Sequence, residues 1–168
     1  MPVQYDYAKT CIGRNEPGTK QLETLLLRLF PGTRTAGIYN CRTVRGGKST
    51  SLHAEGRAVD LWITSIAQGD ALAKWARDHS EQYQIQEVIW NRKIWSVLHA
   101  NAGWRKYTGE NQHTDHVHIG QNRKGARMHF GIPAAAASPS LAVTPSSSNL
   151  WTILLVSGLA YVVWNWLE

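Results

Sequence analysis

Two short segments concentrate the side chains whose types and spacing could do chemistry. One is Ser51-Leu52-His53-Ala54-Glu55-Gly56-Arg57-Ala58-Val59-Asp60, and the other is His113-Thr114-Asp115-His116-Val117-His118. Asp60 sits inside the apolar run Arg57 to Ile63, where an ionised carboxylate is costly unless it is paired or bound to a metal. Period-2 alternation puts Ala58, Asp60 and Trp62 on one face with Val59, Leu61 and Ile63 on the other; His116 and His118 likewise share a face opposite Val117 and Ile119. If these two strands are neighbours, Asp60 and His118 meet, and His53 reaches them from the preceding loop. Two imidazoles and one carboxylate leave a fourth coordination position open, the pattern of catalytic rather than structural zinc. Such an ion lowers the pKa of bound water toward about 7 and polarises a carbonyl, and a nearby carboxylate as general base would complete an amide hydrolase.

The elements that must position these groups read as α+β. A first helix is expected with Thr19 as N-cap, Leu22, Leu25, Leu26 and Leu29 as its core side, and a stop at Pro31-Gly32. Ile38 to Arg42 reads as a short strand, Arg45 to Ser51 as a Gly/Ser-rich basic loop, and Arg57 to Ile63 as a strand. A second helix is expected from about Asp70 to His79, then a hairpin over Glu87 to Ser96 turning at Asn91 to Lys93, a turn-rich loop from Asn101 to Thr114, and a last strand from His116 to Gly120. Without a βαβ rhythm, this order implies an antiparallel sheet with helices. The loop Arg45-Gly-Gly-Lys-Ser-Thr lacks the G-x-x-x-x-G-K spacing of a phosphate loop, so neither nucleotide nor nucleic acid is an expected partner. Trp90, Trp95 and Trp104 read as core or groove wall, and Arg123, Lys124 and Arg127 as a solvated basic face.

The chain has 168 residues, 43% hydrophobic and 18% charged, which excludes wholesale disorder and a polytopic membrane protein. Its formal net charge is +6, and since Glu168 is the only charged side chain after Arg127, the body carries +7 and favours anionic surroundings. Three parts are expected: a body over 1–132, an Ala/Ser/Pro-rich linker over 133–149, and a transmembrane helix over 150–167. The last is apolar on every helical face except for Thr152, Ser157 and Asn165. At about 1.5 Å per residue its length of about 27 Å approaches the hydrocarbon core, with Trp151, Trp164 and Trp166 as interfacial aromatics. The first ten residues lack the basic and apolar regions of a secretory signal, so a tail anchor in a lipid bilayer is expected, with the side of the membrane left open. Cys11 and Cys41 are too few for a structural zinc site, and a bridge and two buried thiols are equally consistent with the sequence.

The pattern S-x-H-x-x-G-x-A-x-D, followed by D-x-x-H with an embedded H-x-H, resembles the zinc peptidases of peptidoglycan. These include D-alanyl-D-alanine carboxypeptidases and phage L-alanyl-D-glutamate endopeptidases, with the Hedgehog/DD-peptidase fold. The similarity covers roughly Gln21 to Gln121. It implies that His53, Asp60 and His118 bind Zn2+, that Asp115 is the general base, and that His116 is a catalytic histidine placed for the oxyanion. It further implies that Ser51 supports the site and that an arginine before the first ligand binds substrate; Arg42 and Arg45 are both candidates and Arg42 is favoured. The expected activity is hydrolysis of amide bonds in peptidoglycan stem peptides, as in phage endolysins. Many relatives have Glu where this chain has Asp115, and simple alternation would turn Asp115 away from His118 unless the strand starts at His116. The alternative is a non-catalytic wall- or metal-binding module on a membrane anchor.

Overall fold

A computed structural model of the chain describes residues 2–131. The expected linker over 133–149 and span over 150–167 lie outside the described residues. Among the described residues no helix is long and apolar enough to cross a membrane.

The architecture is α+β. Six strands, β1 (Arg34–Gly37), β2 (Ala58–Trp62), β3 (Ile85–Trp90), β4 (Lys93–Ser96), β5 (Arg105–Lys106) and β6 (His116–Gln121), form one antiparallel sheet in the order β1-β2-β6-β3-β4-β5. The helices are α1 (Pro17–Leu29), α2 (Ile66–Asp78) and the short α3 (Ser80–Tyr83) and α4 (Arg123–Arg127). Val59, Leu61, Val88, Val117 and Ile119 from the strands join Leu22 and Leu26 of α1 and Leu72, Ala73 and Ala76 of α2 in one buried cluster. Trp90 and Trp95 are buried in it, and Trp104 packs against it partly exposed.

Local signals explain where elements begin and end, and some differ from the sequence expectation. Helix α1 starts two residues before Thr19, because Pro17 in its first turn brings a preset φ; Thr19 is fully buried inside the helix rather than capping it. Leu22 and Leu26 are buried as expected, but Leu29 is 47% exposed at the helix end. Helix α2 starts at Ile66 rather than Asp70. The Ser65 hydroxyl accepts from the Gln68 N–H at 3.2 Å, and the Gln68 amide oxygen accepts from the Thr64 N–H at 2.8 Å, a reciprocal cap.

The strand expected over Ile38 to Arg42 instead covers Arg34–Gly37. A bulge between Thr35 and Gly37, with Gly37 at φ 119°, takes the chain out of the sheet before Ile38, whose side chain then joins the core. The β3–β4 hairpin turns at Asn91 and Arg92, both at positive φ, and β5 emerges from the stretch expected to be loop. Cys11 and Cys41 are bridged, with Cα atoms 5.3 Å apart, which fastens the N-terminal arm to the loop after β1.

Candidate metal centre

Strand β2 pairs with β6 so that Asp60 lies directly opposite His118, Trp62 opposite His116 and Ala58 opposite Gly120. The alternation read from sequence therefore meets across a real pair of neighbours. His53 comes from the 3-10 turn Leu52–Glu55 just before β2. Ser51 caps this turn, its hydroxyl accepting the His53 N–H at 3.3 Å, so the motif serine sets where the first histidine begins. Gly56 ends the turn at φ 57°, and a Cβ there would sit 2.2 Å from the Arg14 carbonyl oxygen, so only glycine fits. Arg57 is 1% exposed beneath the site; it donates to the Glu55 carboxylate and the Gln121 carbonyl at 2.7 Å and to the Asp6 carbonyl at 2.8 Å.

His53 Nε2, His118 Nδ1 and the Asp60 carboxylate converge. The two ring nitrogens are 3.1 Å apart, His118 Nδ1 is 2.8 Å from Asp60 Oδ1, and His53 Nε2 is 3.2 Å from Asp60 Oδ2. The far nitrogen of each ring is tied to a group that can only accept. His53 Nδ1–H donates to the Ile38 carbonyl at 2.7 Å, and His118 Nε2–H donates to Glu87 Oε1 at 3.3 Å. A metal would need the inward nitrogens as lone pairs; without one, His118 is held protonated and its Nδ1–H donates to Asp60 Oδ1. The cluster accommodates one positive charge, a proton on His118 or a metal ion in its place, and outward hydrogen bonds of this kind are how metal-binding histidines are oriented. His53, Asp60 and His118 could therefore hold a metal ion, each offering one ligand atom, a donor set of the kind zinc accepts.

Without a metal, the positive charge is a proton. Burial alone would lower the His118 pKa, but hydrogen bonds to Asp60 and Glu87, with their charges, raise it to about 9. Burial would raise the Asp60 pKa, yet bonds from His118 and His53 hold it well below the usual carboxylate range. The pocket favours positive charge.

Asp115 directly precedes β6, which starts at His116, and its carbonyl accepts the Ile63 N–H at 3.2 Å, continuing the pairing with β2. Its carboxylate accepts from His116 Nδ1 at 2.6 Å, and its side chain is 63% exposed. His116 Nε2 lies 3.8 Å from Asp60 Oδ2, and the ring is flanked by Trp62 and His113 at centroid distances of 5.2 and 4.8 Å. Asp115 and His116 thus form a hydrogen-bonded pair, His116 on the side of Asp60. A cleft of about 240 Å³ opens on the site, with Arg42, Arg45, Ser51, Glu87 and His118 among its lining residues. Both candidate arginines line it, Arg42 half-buried and Arg45 exposed.

Glu87 escaped the sequence reading, and His113 entered it only as the first residue of the second segment, with no role of its own. Glu87, buried opposite Gly120, carries the signal that singled out Asp60, a carboxylate in an apolar strand, but it stands at the start of its run. Gly120 leaves the room it needs: a Cβ there would sit 2.4 Å from Leu52 Cδ1 and 3.0 Å from Glu87 Cγ. His113, at φ 50°, is buried against Tyr107, His116 and His118, with Nδ1 lacking a partner, and burial pushes its pKa down to about 3. Nothing periodic in its loop marks it.

No curated protein and no solved structure matches the chain. The family model described as VldE, C-terminal domain, matches residues 11–118, a stretch running from the bridged Cys11 to the last of the three converging side chains. By that match the chain belongs to the VldE C-terminal domain family.

Proposed function

We propose that this chain is a zinc-dependent peptidase that hydrolyses amide bonds in bacterial peptidoglycan stem peptides, as an endolysin-like enzyme held at a lipid bilayer by its apolar segment over 150–167. The observation that carries the reading is the convergence of His53 Nε2, His118 Nδ1 and the Asp60 carboxylate, with Asp115 three residues before the last of them. The antiparallel α+β architecture is of the class that the Hedgehog/DD-peptidase resemblance implies.

A zinc ion bound there supplies Lewis acidity and an activated water. Asp115 accepts the proton of the attacking water and passes it to the leaving amine. His116, hydrogen-bonded through Nδ1 to Asp115, donates to the developing oxyanion through Nε2 when its ring carries both protons. Arg42 holds a stem-peptide carboxylate in the cleft, and a bidentate guanidinium contact gives that grip direction. Ser51 acts through the turn that carries His53.

The test is digestion of purified peptidoglycan by the zinc-loaded full chain in detergent, read by mass spectrometry. New amino termini in stem peptides support the reading, and the fragment masses name the bond. Full zinc occupancy without cleavage supports a metal- or wall-binding module instead, a reading favoured by the outward exposure of the Asp115 side chain.

A further inference from the structure

The outward hydrogen bond of His118 does not end at Glu87. Glu87 is buried, and its second oxygen, Oε2, accepts the Tyr5 hydroxyl at 2.5 Å. Tyr5 lies in the N-terminal arm, 82 positions away in sequence and outside the residues that the family model matches. The arm is fastened on both sides of Tyr5: before it, the Gln4 carbonyl accepts the Asn122 side-chain N–H at 3.1 Å. The Asp6 N–H donates to the Gln86 side chain at 2.8 Å, and the Asp6 carboxylate accepts the Arg123 N–H at 2.8 Å. Further along, the Lys9 N–H donates to Glu55 at 2.7 Å, the Ile12 N–H to the Ala54 carbonyl at 3.0 Å, and Cys11 is bridged to Cys41. An arm anchored this heavily presents one phenol to one carboxylate oxygen, and that carboxylate's other oxygen faces a zinc-binding ring.

We propose that Tyr5 is a positioning residue for the metal centre, locking the Glu87 carboxylate so that Oε1 holds His118 with Nδ1 turned toward the ion. The inference rests on the metal reading above and extends it to the N-terminal arm. A carboxylate with one fixed oxygen cannot rotate freely, so the ring it holds is oriented before metal arrives. Without the phenol, the carboxylate turns or takes up water, and ordering it becomes a cost of metal binding.

The experiment uses the full chain and zinc alone, competed against a chromophoric chelator, with cobalt absorption as a second readout. Loss of the group bonded directly to a metal-binding histidine weakens metal binding about 10–100-fold, and Tyr5 acts one bond further out, so the low end, about tenfold, bounds its effect. Tyr5→Phe is therefore expected to lower zinc affinity by up to that factor and to shift the cobalt bands. Tyr7→Phe, a change at an exposed neighbour in the same arm, should do neither. In a Glu87→Gln background, Tyr5→Phe should have little further effect, because both changes break one chain of bonds. Circular dichroism of the metal-free variants separates this from misfolding: a folded Tyr5→Phe with weakened zinc supports the inference. Wild-type affinity and spectrum in Tyr5→Phe overturn it, as does an equal loss with and without Glu87. A wild-type chain that takes up neither zinc nor cobalt overturns the metal reading as well.

Discussion

Strands β2 and β6 have two faces made of alternate residues. On one, Val59, Leu61, Val117 and Ile119 are each 0% exposed in the helix-covered core. On the other, Asp60, Trp62, His116 and His118 stand in the same register and carry the site, with Trp62 still 39% exposed. Burying an aliphatic side chain stabilises by roughly 1.5–3 kcal/mol, whereas each polar group on the site face costs free energy unless paired. One face therefore supplies the stability that holds the other face's polar groups close together. The difference teaches that changes on one face should chiefly alter folding, and changes on the other chemistry.

That separation can be broken most sharply at a ligand. His118→Ala is expected to abolish stoichiometric zinc binding while the body stays folded, since the aliphatic face is untouched; elemental analysis beside circular dichroism decides it. Undiminished zinc would remove His118 from the ligand set.

Next in size is Asp115→Asn, expected to keep zinc but lose roughly 10²–10⁴-fold in activity, because the amide cannot accept the proton. His116→Ala should cost less. Because the two side chains share a hydrogen bond of 2.6 Å, a reversed order of damage would show that the histidine is the acting base.

On the aliphatic face, Leu61→Ala should cost about 2–5 kcal/mol in denaturant unfolding of the metal-free protein, the range for emptying a closed core position. Zinc stoichiometry should be unchanged while the variant is folded. Altered stoichiometry would mean that the two faces are coupled through the strand.

The smallest effect belongs to three charged residues on neither face. Hydrogen bonds from Lys74, then Arg77, hold Asp78 below the usual carboxylate pKa. The stability this contributes is present above the unfolded pKa of about 3.9 and is lost as pH falls through the lower folded value. Exposed pairs of this kind are worth about 0.2–1 kcal/mol, so Asp78→Asn should narrow the acid arm of the stability profile only slightly and leave zinc uptake unchanged.

Much of the site is legible in residue types, because a carboxylate inside an apolar strand and two histidines at i, i+2 each carry a physical demand. Applied to Glu87 the same demand would have found it, but a carboxylate at the start of a run reads equally well as a strand end. The first helix and the hairpin follow from Leu spacing and turn residues, whereas the strand after α1 was displaced by a bulge that no residue pattern announces. His113 owes its place to a left-handed backbone and three neighbouring rings, none of which is local in sequence.

By itself the sequence determined which residues share a face and which side chains could gather a cation, since period-2 alternation and side-chain chemistry are properties of a few consecutive residues. Tertiary structure alone decided that β2 and β6 are neighbours with Asp60 opposite His118, that Cys11 meets Cys41, and that Tyr5 reaches Glu87. Those pairings join residues 58, 30 and 82 positions apart. They depend on the helices burying the aliphatic face of the sheet and fixing its strand order, because ordering such long loops costs entropy that only the assembled core repays.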